Sequence, residues 1–203
     1  MRTTGDTRAR IVTAATELFR RQGYAASGMK QIVAAAEAPY GSAYHFFPGG
    51  KTQLGEEVIR TSGAAYLELI AGLFPPAEAA DMATVTRDAF TAAAQTLHEL
   101  DFTDPCPIAT VALEVAGTHE PLRLATAEVF ASWTDGLAAF YRAGGIAEPA
   151  AHETASSVIA LLEGAFMLGR AARSTGPVLA ASRAAAAVVR AAQSDATTAP
   201  ADA

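Results

Sequence analysis

Only one cysteine, Cys106, occurs among the 203 residues, so no disulfide framework can form within the chain. Charged residues make up 18 %, below the usual share of about 25 %. The four histidines are scattered, and no His-Glu-x-x-His or paired Glu-x-x-His pattern occurs. That removes the usual sequence signatures of zinc and di-metal centres, so no metal and no cofactor are expected. The N-terminus, MRTTGDTRAR, is polar and lacks the apolar stretch of a signal peptide. The most apolar run, SSVIALLEGAFMLGRAA, is broken by Glu163 and ends in Arg170. It falls short of the roughly 20 apolar residues of a membrane span. The expectation is a cytoplasmic protein with no membrane partner.

A nucleotide-binding loop is also missing, although GGKT at 49–52 imitates its end. The loop needs a glycine, four residues, then Gly-Lys-Ser/Thr. Its first glycine would fall on His45, where an imidazole prevents the backbone from curling around phosphate. The loop should also follow a strand, and KQIVAAAEAPYG reads as helix.

Alanine is plentiful, and it is the best helix former. Hydrophobic residues reach 51 %, enough for a sizeable core. The fold class is therefore all-α. Net charge is −6, but it is unevenly spread. Residues 1–60 hold eight basic and five acidic residues, a net of +3, and the remainder a net of −9. A cationic head on an acidic body is compatible with DNA, because attraction depends on the local field.

About nine helices follow from apolar periodicity and breakers. The first spans 6–21, with Ile11, Ala14, Ala15, Leu18 and Phe19 on one face, and Gly23 is placed to end it in the left-handed conformation. Ser27 is placed to cap the next helix, GMKQIVAAAE, whose large aliphatic anchors are Ile32 and Val33. A tight turn leads to a short third helix over 39–46, with Pro39 in its first turn. Of Phe46 and Phe47, Phe46 is expected in the core. Pro48, Gly49 and Gly50 stop that helix, and Lys51 opens a fourth that runs to Pro75-Pro76. Two short helices joined by a tight turn make a helix-turn-helix candidate.

The body continues with helices over 82–100, 106–117 (after an Asp104-Pro105 cap), 120–143, 149–173 and 178–193. The resulting division is 1–50 for the helix-turn-helix head, 51–193 for the helical body, and 194–203 for a disordered tail. In the penultimate helix, large apolar residues surround nearly the whole circumference, which requires cover on both sides. One side fits its own domain. The other fits the same helix of a second subunit, joined by the last helix, which gives a four-helix homodimer contact. The alternative is a central core helix in a monomer.

The N-terminal pattern resembles the TetR family of transcriptional regulators. The residues that carry it are RIVTAATELFRRQGY, S-x-M-x-x-I at 27–32, GSAYHFFPGGK, and Leu54. PGGK together with DPCPIA at 104–109 is similar to the LmrA/YxaF-like branch of that family. Glu37 and Ala43 stand where the pattern usually has glycine and leucine. The resemblance implies three DNA-binding helices, a C-terminal ligand-binding and dimerisation domain, and repression of a double-stranded DNA operator relieved by a small molecule.

On that resemblance the third helix enters the major groove and its N-terminal residues, Pro39, Tyr40, Gly41 and Ser42, meet base edges. Tyr40 offers a ring to thymine methyls and a hydroxyl to a base or phosphate. Tyr44 and His45 match the family's phosphate-touching pair. Ser27 and Lys30 on the second helix, and Lys51 at the start of the fourth, are the remaining backbone contacts. No Arg, Asn or Gln lies at 39–45, so strong bidentate base pairing from this helix is excluded.

A small apolar or aromatic effector would be lined by Phe90, Leu97, Phe130, Trp133, Leu137, Leu162 and Phe166, each of which could equally be plain core. Trp133 is the best anchor for a flat apolar molecule. Glu114, His98 and Glu163 are candidate orienting groups. Two rivals remain. One is an architectural DNA-binding dimer without an effector. The other is a helical enzyme using His98, His119 or His152 with a carboxylate.

Overall fold

The computed structural model describes residues 4–72, 81–103 and 106–198. Among them are nine helices and no strand, the all-α architecture that the alanine content implies. The helices are α1 (Thr4–Ala26), α2 (Met29–Ala35), α3 (Tyr40–Phe46), α4 (Gly50–Ala71), α5 (Met82–Glu99), α6 (Pro107–Val115), α7 (Glu120–Ala143), α8 (Ala150–Ala172) and α9 (Gly176–Thr198). The breaks expected at Pro75-Pro76 and Asp104-Pro105 lie outside the described residues. Helix α9 runs to Thr198, past the tail boundary set at 194.

The chain divides into two compact units, Met1–Tyr66 with Asp104–Phe130, and Leu67–Thr103 with Ala131–Ala203. In the first unit α1 buries Ile11, Ala15 and Phe19 at four-residue spacing, one stripe of a 3.6-residue period. Ile32 and Val33 of α2, Ala43 of α3 and Leu54, Val58 and Ile59 of α4 complete the head's core. Helices α6 and α7 add Ile108, Val111, Val115, Leu122 and Val129. At Gly63 of α4 a Cβ would come within 2.5 Å of the Val129 side chain, so glycine sets how closely α4 and α7 approach.

Two local expectations are corrected here. The core phenylalanine is Phe47, at 0 % exposure, and Phe46 is only half-buried. Phe47 follows the last turn of α3 with non-helical angles (φ −129°, ψ 72°) while its N–H still bonds to Ala43 O, and this bend turns its ring inward. Helix α1 does not end in the left-handed conformation. Gly23 kinks it at φ 84°, ψ 169°, a region closed to side-chain-bearing residues.

The second unit packs α9 against both α5 and α8. One cluster joins Met82, Phe90, Leu97, Tyr141, Ile146, Val158, Phe166, Val178 and Val189 with buried alanines. The Tyr141 hydroxyl shares a 2.9 Å hydrogen bond with Thr86 in this core, so each of the two buried hydroxyls has a partner. Helix α8 is long and apolar enough, by length and composition, to cross a membrane. The charge-broken run had not suggested this. Ala151, Thr154, Ala155, Val158, Ala165 and Phe166 line its buried face.

Two outcomes follow for stability. Phe47→Ala costs about 3–5 kcal/mol in urea unfolding, and Phe46→Ala at most about 1 kcal/mol. Burial pushes the Tyr141 phenol up to about 12, so the unfolded chain releases this proton from about pH 10 while the folded chain keeps it. Stability is unaffected below pH 10 and falls as pH rises from 10 to 12, by on the order of 2 kcal/mol. Tyr141→Phe removes this share of the slope, measured as unfolding midpoints across that range.

Candidate nucleic-acid interface

Seven residues each in α2 and α3 are joined by 36–39. The turn folds back on α2 through three backbone bonds, from the N–H groups of Ala36, Glu37 and Ala38 to Ile32 O, Ala34 O and Val33 O. Glu37 takes the left-handed region, at φ 49°. This is the conformation that glycine adopts freely and that costs other residues about 1–2 kcal/mol. The turn therefore keeps its geometry without its glycine. Arg10 reaches the Glu37 carbonyl at 3.4 Å from α1. Pro39 is the residue before the first turn of α3, extended at φ −59°, ψ 140°, not a member of that turn as expected.

Helix α3 buries only Ala43. Tyr40 and Tyr44 are 52 % and 48 % exposed, and their rings meet edge to face at 5.7 Å. A hydrogen bond with Tyr40 raises the Tyr44 phenol above its ordinary value. A Cβ at Gly41 would meet nothing within 4 Å, so packing inside the protein does not demand glycine there. Pro39, Gly41 and His45 are exposed and Ser42 is half-buried. Lys30 is exposed on α2. Of these seven expected site residues, Lys30 lies on α2, Pro39 in the turn, and Tyr40, Gly41, Ser42, Tyr44 and His45 on α3, and all but the half-buried Ser42 are exposed.

Ser27 and Lys51 are placed differently. Ser27 is fully buried. Its hydroxyl donates to Gly23 O at 2.7 Å and accepts from Gln22 at 3.2 Å. It caps no helix, since Gly28 precedes α2 without a side-chain cap, and it has no free surface to offer a phosphate. The kink at Gly23 explains this: it exposes a carbonyl that the hydroxyl must satisfy. Lys51 is half-buried. Its ammonium sits 4.1 Å from the Tyr24 ring centroid, a cation–π contact, and donates to Ala25 O at 3.4 Å. Burial lowers its pKa, and the Glu114 carboxylate opposes that shift.

Glu114, expected to orient a ligand, turns instead to the head. Its carboxylate accepts from the Tyr24 and Ala25 N–H groups at 3.2 and 2.8 Å. No local signal in the sequence announces a pairing across ninety residues.

Of the expected effector-lining residues, Phe90, Leu97 and Phe166 belong to the second unit's cluster, and Leu137 and Leu162 pack against it. Trp133 is buried but outside that cluster, and Phe130 belongs to the first unit. The histidines of the enzyme reading are dispersed. His98 meets Phe102 edge to face, His119 meets Tyr24 in the same way, and His152 lies 3.5 Å from Asp135. No group of three or more metal-ligating side chains occurs among the described residues.

Comparison with known proteins agrees with the head's geometry. Residues 11–58 match the family model "Bacterial regulatory proteins, tetR family". Residues 82–184 match "Transcriptional regulator LmrA/YxaF-like, C-terminal domain". The chain is 32 % identical over 179 residues to the uncharacterized HTH-type transcriptional regulator YxaF of Bacillus subtilis (strain 168), covering 88 % of this chain and 93 % of that one. It is also 32 % identical over 182 residues to the HTH-type transcriptional regulator LmrA of the same organism, covering 86 % and 92 %. The crystal structure of regulatory protein TetR from Rhodobacter sphaeroides shares the fold, with a TM-score of 0.78 at 20 % identity, covering 90 % and 98 %. With its relatives all regulators of transcription, the enzyme reading falls, and the chain belongs to the TetR family of DNA-binding transcriptional regulators, with a C-terminal domain of the LmrA/YxaF-like kind.

Proposed function

We propose that the protein is a ligand-responsive repressor that binds a palindromic operator as a homodimer in the cytoplasm and is released by a small, largely apolar effector. The carrying observation is the uncovered start of α3. A paired-tyrosine surface and a glycine that no neighbour requires suit close approach to the edges of base pairs. Pro39, Tyr40, Gly41 and Ser42 would meet bases. Lys30, Tyr44 and His45 would hold phosphates, with Lys51 joining them once its side chain leaves Tyr24.

The homodimer would form through α8 and α9. Met167 and Leu168 on α8 are each 58 % exposed, and Leu179 on α9 is 38 % exposed. Large apolar groups left in water on two neighbouring helices support a second copy as their cover. Effector release would follow if an apolar molecule entering among Phe90, Leu97, Leu137, Leu162 and Phe166, or beside Trp133, favoured a head spacing that no longer fits half-sites about 34–36 Å apart.

Selection of bound duplexes from random fragments, followed by a screen for compounds that release them, tests the whole reading. A palindromic site is expected. Two lysines in each of two heads give a log–log salt slope of about −4 for operator binding. A slope near zero would defeat the contact scheme, and unchanged affinity with every compound would defeat the effector. For the dimer, Met167→Asp with Leu168→Asp should yield monomers in sedimentation and lose operator binding. A variant that stays dimeric would place the interface elsewhere.

A further inference from the structure

We propose that Glu114 of α6 is a positioning residue for DNA binding: it orders the turn between α1 and α2, and through that turn the phosphate-facing parts of the head. The inference rests on the DNA-binding reading and adds to it a residue far outside the helix-turn-helix.

The argument starts at Gly23. Its kink swings the N–H groups of Tyr24 and Ala25 to Glu114, which takes both on one carboxylate. The carbonyl side of the same kink is taken by Ser27. Backbone groups at a helix break need such partners, and α6 supplies the donors' half. The fit is tight, because a Cβ at Gly23 would lie 1.9 Å from Glu114 Oε1. Glycine is required there by the positive φ, and any side chain would also push the Glu114 carboxylate out of its place. Ala25 carries the effect onward, since its N–H is held by Glu114 while its carbonyl holds the Lys51 ammonium. Tyr24, under that ammonium, is packed against Phe19 and His119. One carboxylate therefore fixes the segment that leads into α2. The two bonds are charge-assisted, stronger than neutral ones.

The test uses the full chain with Glu114→Ala and Glu114→Gln. Affinity is read by fluorescence anisotropy on the duplex recovered by selection, together with hydrogen exchange at Tyr24 and Ala25. Glu114→Ala should weaken binding about tenfold, as expected for lost bonds to a charged group, and leave the salt slope unchanged. The two amides should exchange at least about tenfold faster while those of α9 keep their rates. Glu114→Gln retains one acceptor oxygen and should fall between. Unchanged affinity in both variants would overturn the inference. So would faster exchange spread evenly over the chain, which would mark a merely structural loss. Wild-type protein that binds no duplex would instead overturn the DNA reading, and the exchange rates would still decide whether Glu114 orders the turn.

Discussion

Seven-residue helices do not hold their shape alone in water, because nucleation costs more than so few hydrogen bonds return. Helices α2 and α3 therefore exist only as parts of a packed head. Ile32 and Val33 must be buried against the stripe of Ile11, Ala15 and Phe19, and Phe47 and Leu54 must close the far side. This constraint divides the short helices sharply. Nearly every large apolar group on them faces inward, except Tyr40 and Tyr44. A ring left half in water adds little to a helix that depends on burial beyond its contact with the other ring, and its exposed surface can serve an outside partner.

The head was largely legible in the sequence because its signals are local. Periodicity marked α1, the Pro-Gly-Gly run marked the end of α3, and the motif order pointed to the family. Most expected DNA residues fall on α2, the turn and α3 for the same reason: they lie within sixteen consecutive positions, Lys30 to His45. What could not be read depends on bends and on distant partners. Phe46 and Phe47 have equal claims as core residues by composition, and a single pair of angles at the end of α3 chooses Phe47. Ser27 looks like a cap from its place in the chain. The kink at Gly23 gives its hydroxyl another duty, and that kink in turn is fitted to a carboxylate on α6. Glu37 shows the reverse case, a local rule broken without changing the turn, because three backbone bonds and a reach from Arg10 sustain it.

The body was legible as helices and less so as a site. Phe90, Leu97 and Phe166 lie together, yet apolar periodicity is the same for a ligand-lining residue and a core residue. Uncovered Met167 and Leu168 carry more information, because exposure of large apolar groups is what the sequence pattern cannot distinguish from burial. Helix α8 was read as apolar all round, and these two residues now locate the side left without cover in one chain.

Charge in the head repays closer attention than its net of +3. Its arginines are largely taken by carboxylates. Arg8 pairs with Glu57, Arg20 and Arg21 with Glu17, and Arg60 with Glu56 and Glu128. Arg10 leans on Asp6 and on the turn. A guanidinium held this way must exchange its carboxylate before it can fork onto a phosphate. Lys30 makes no ion pair among the described residues, and Lys51 is held by a ring, a carbonyl and the field of the Glu114 carboxylate. The long-range field of the head survives, since pairing does not change net charge, and it can still steer a duplex towards the surface. On the proposed reading, close contact would then fall to two lysines and a set of aromatic, hydroxyl and backbone groups. With no Arg, Asn or Gln at the start of α3, discrimination on that reading would come from thymine methyls, water and the shape of the groove, which are the kinds of readout that a tyrosine pair beside a bare glycine can make.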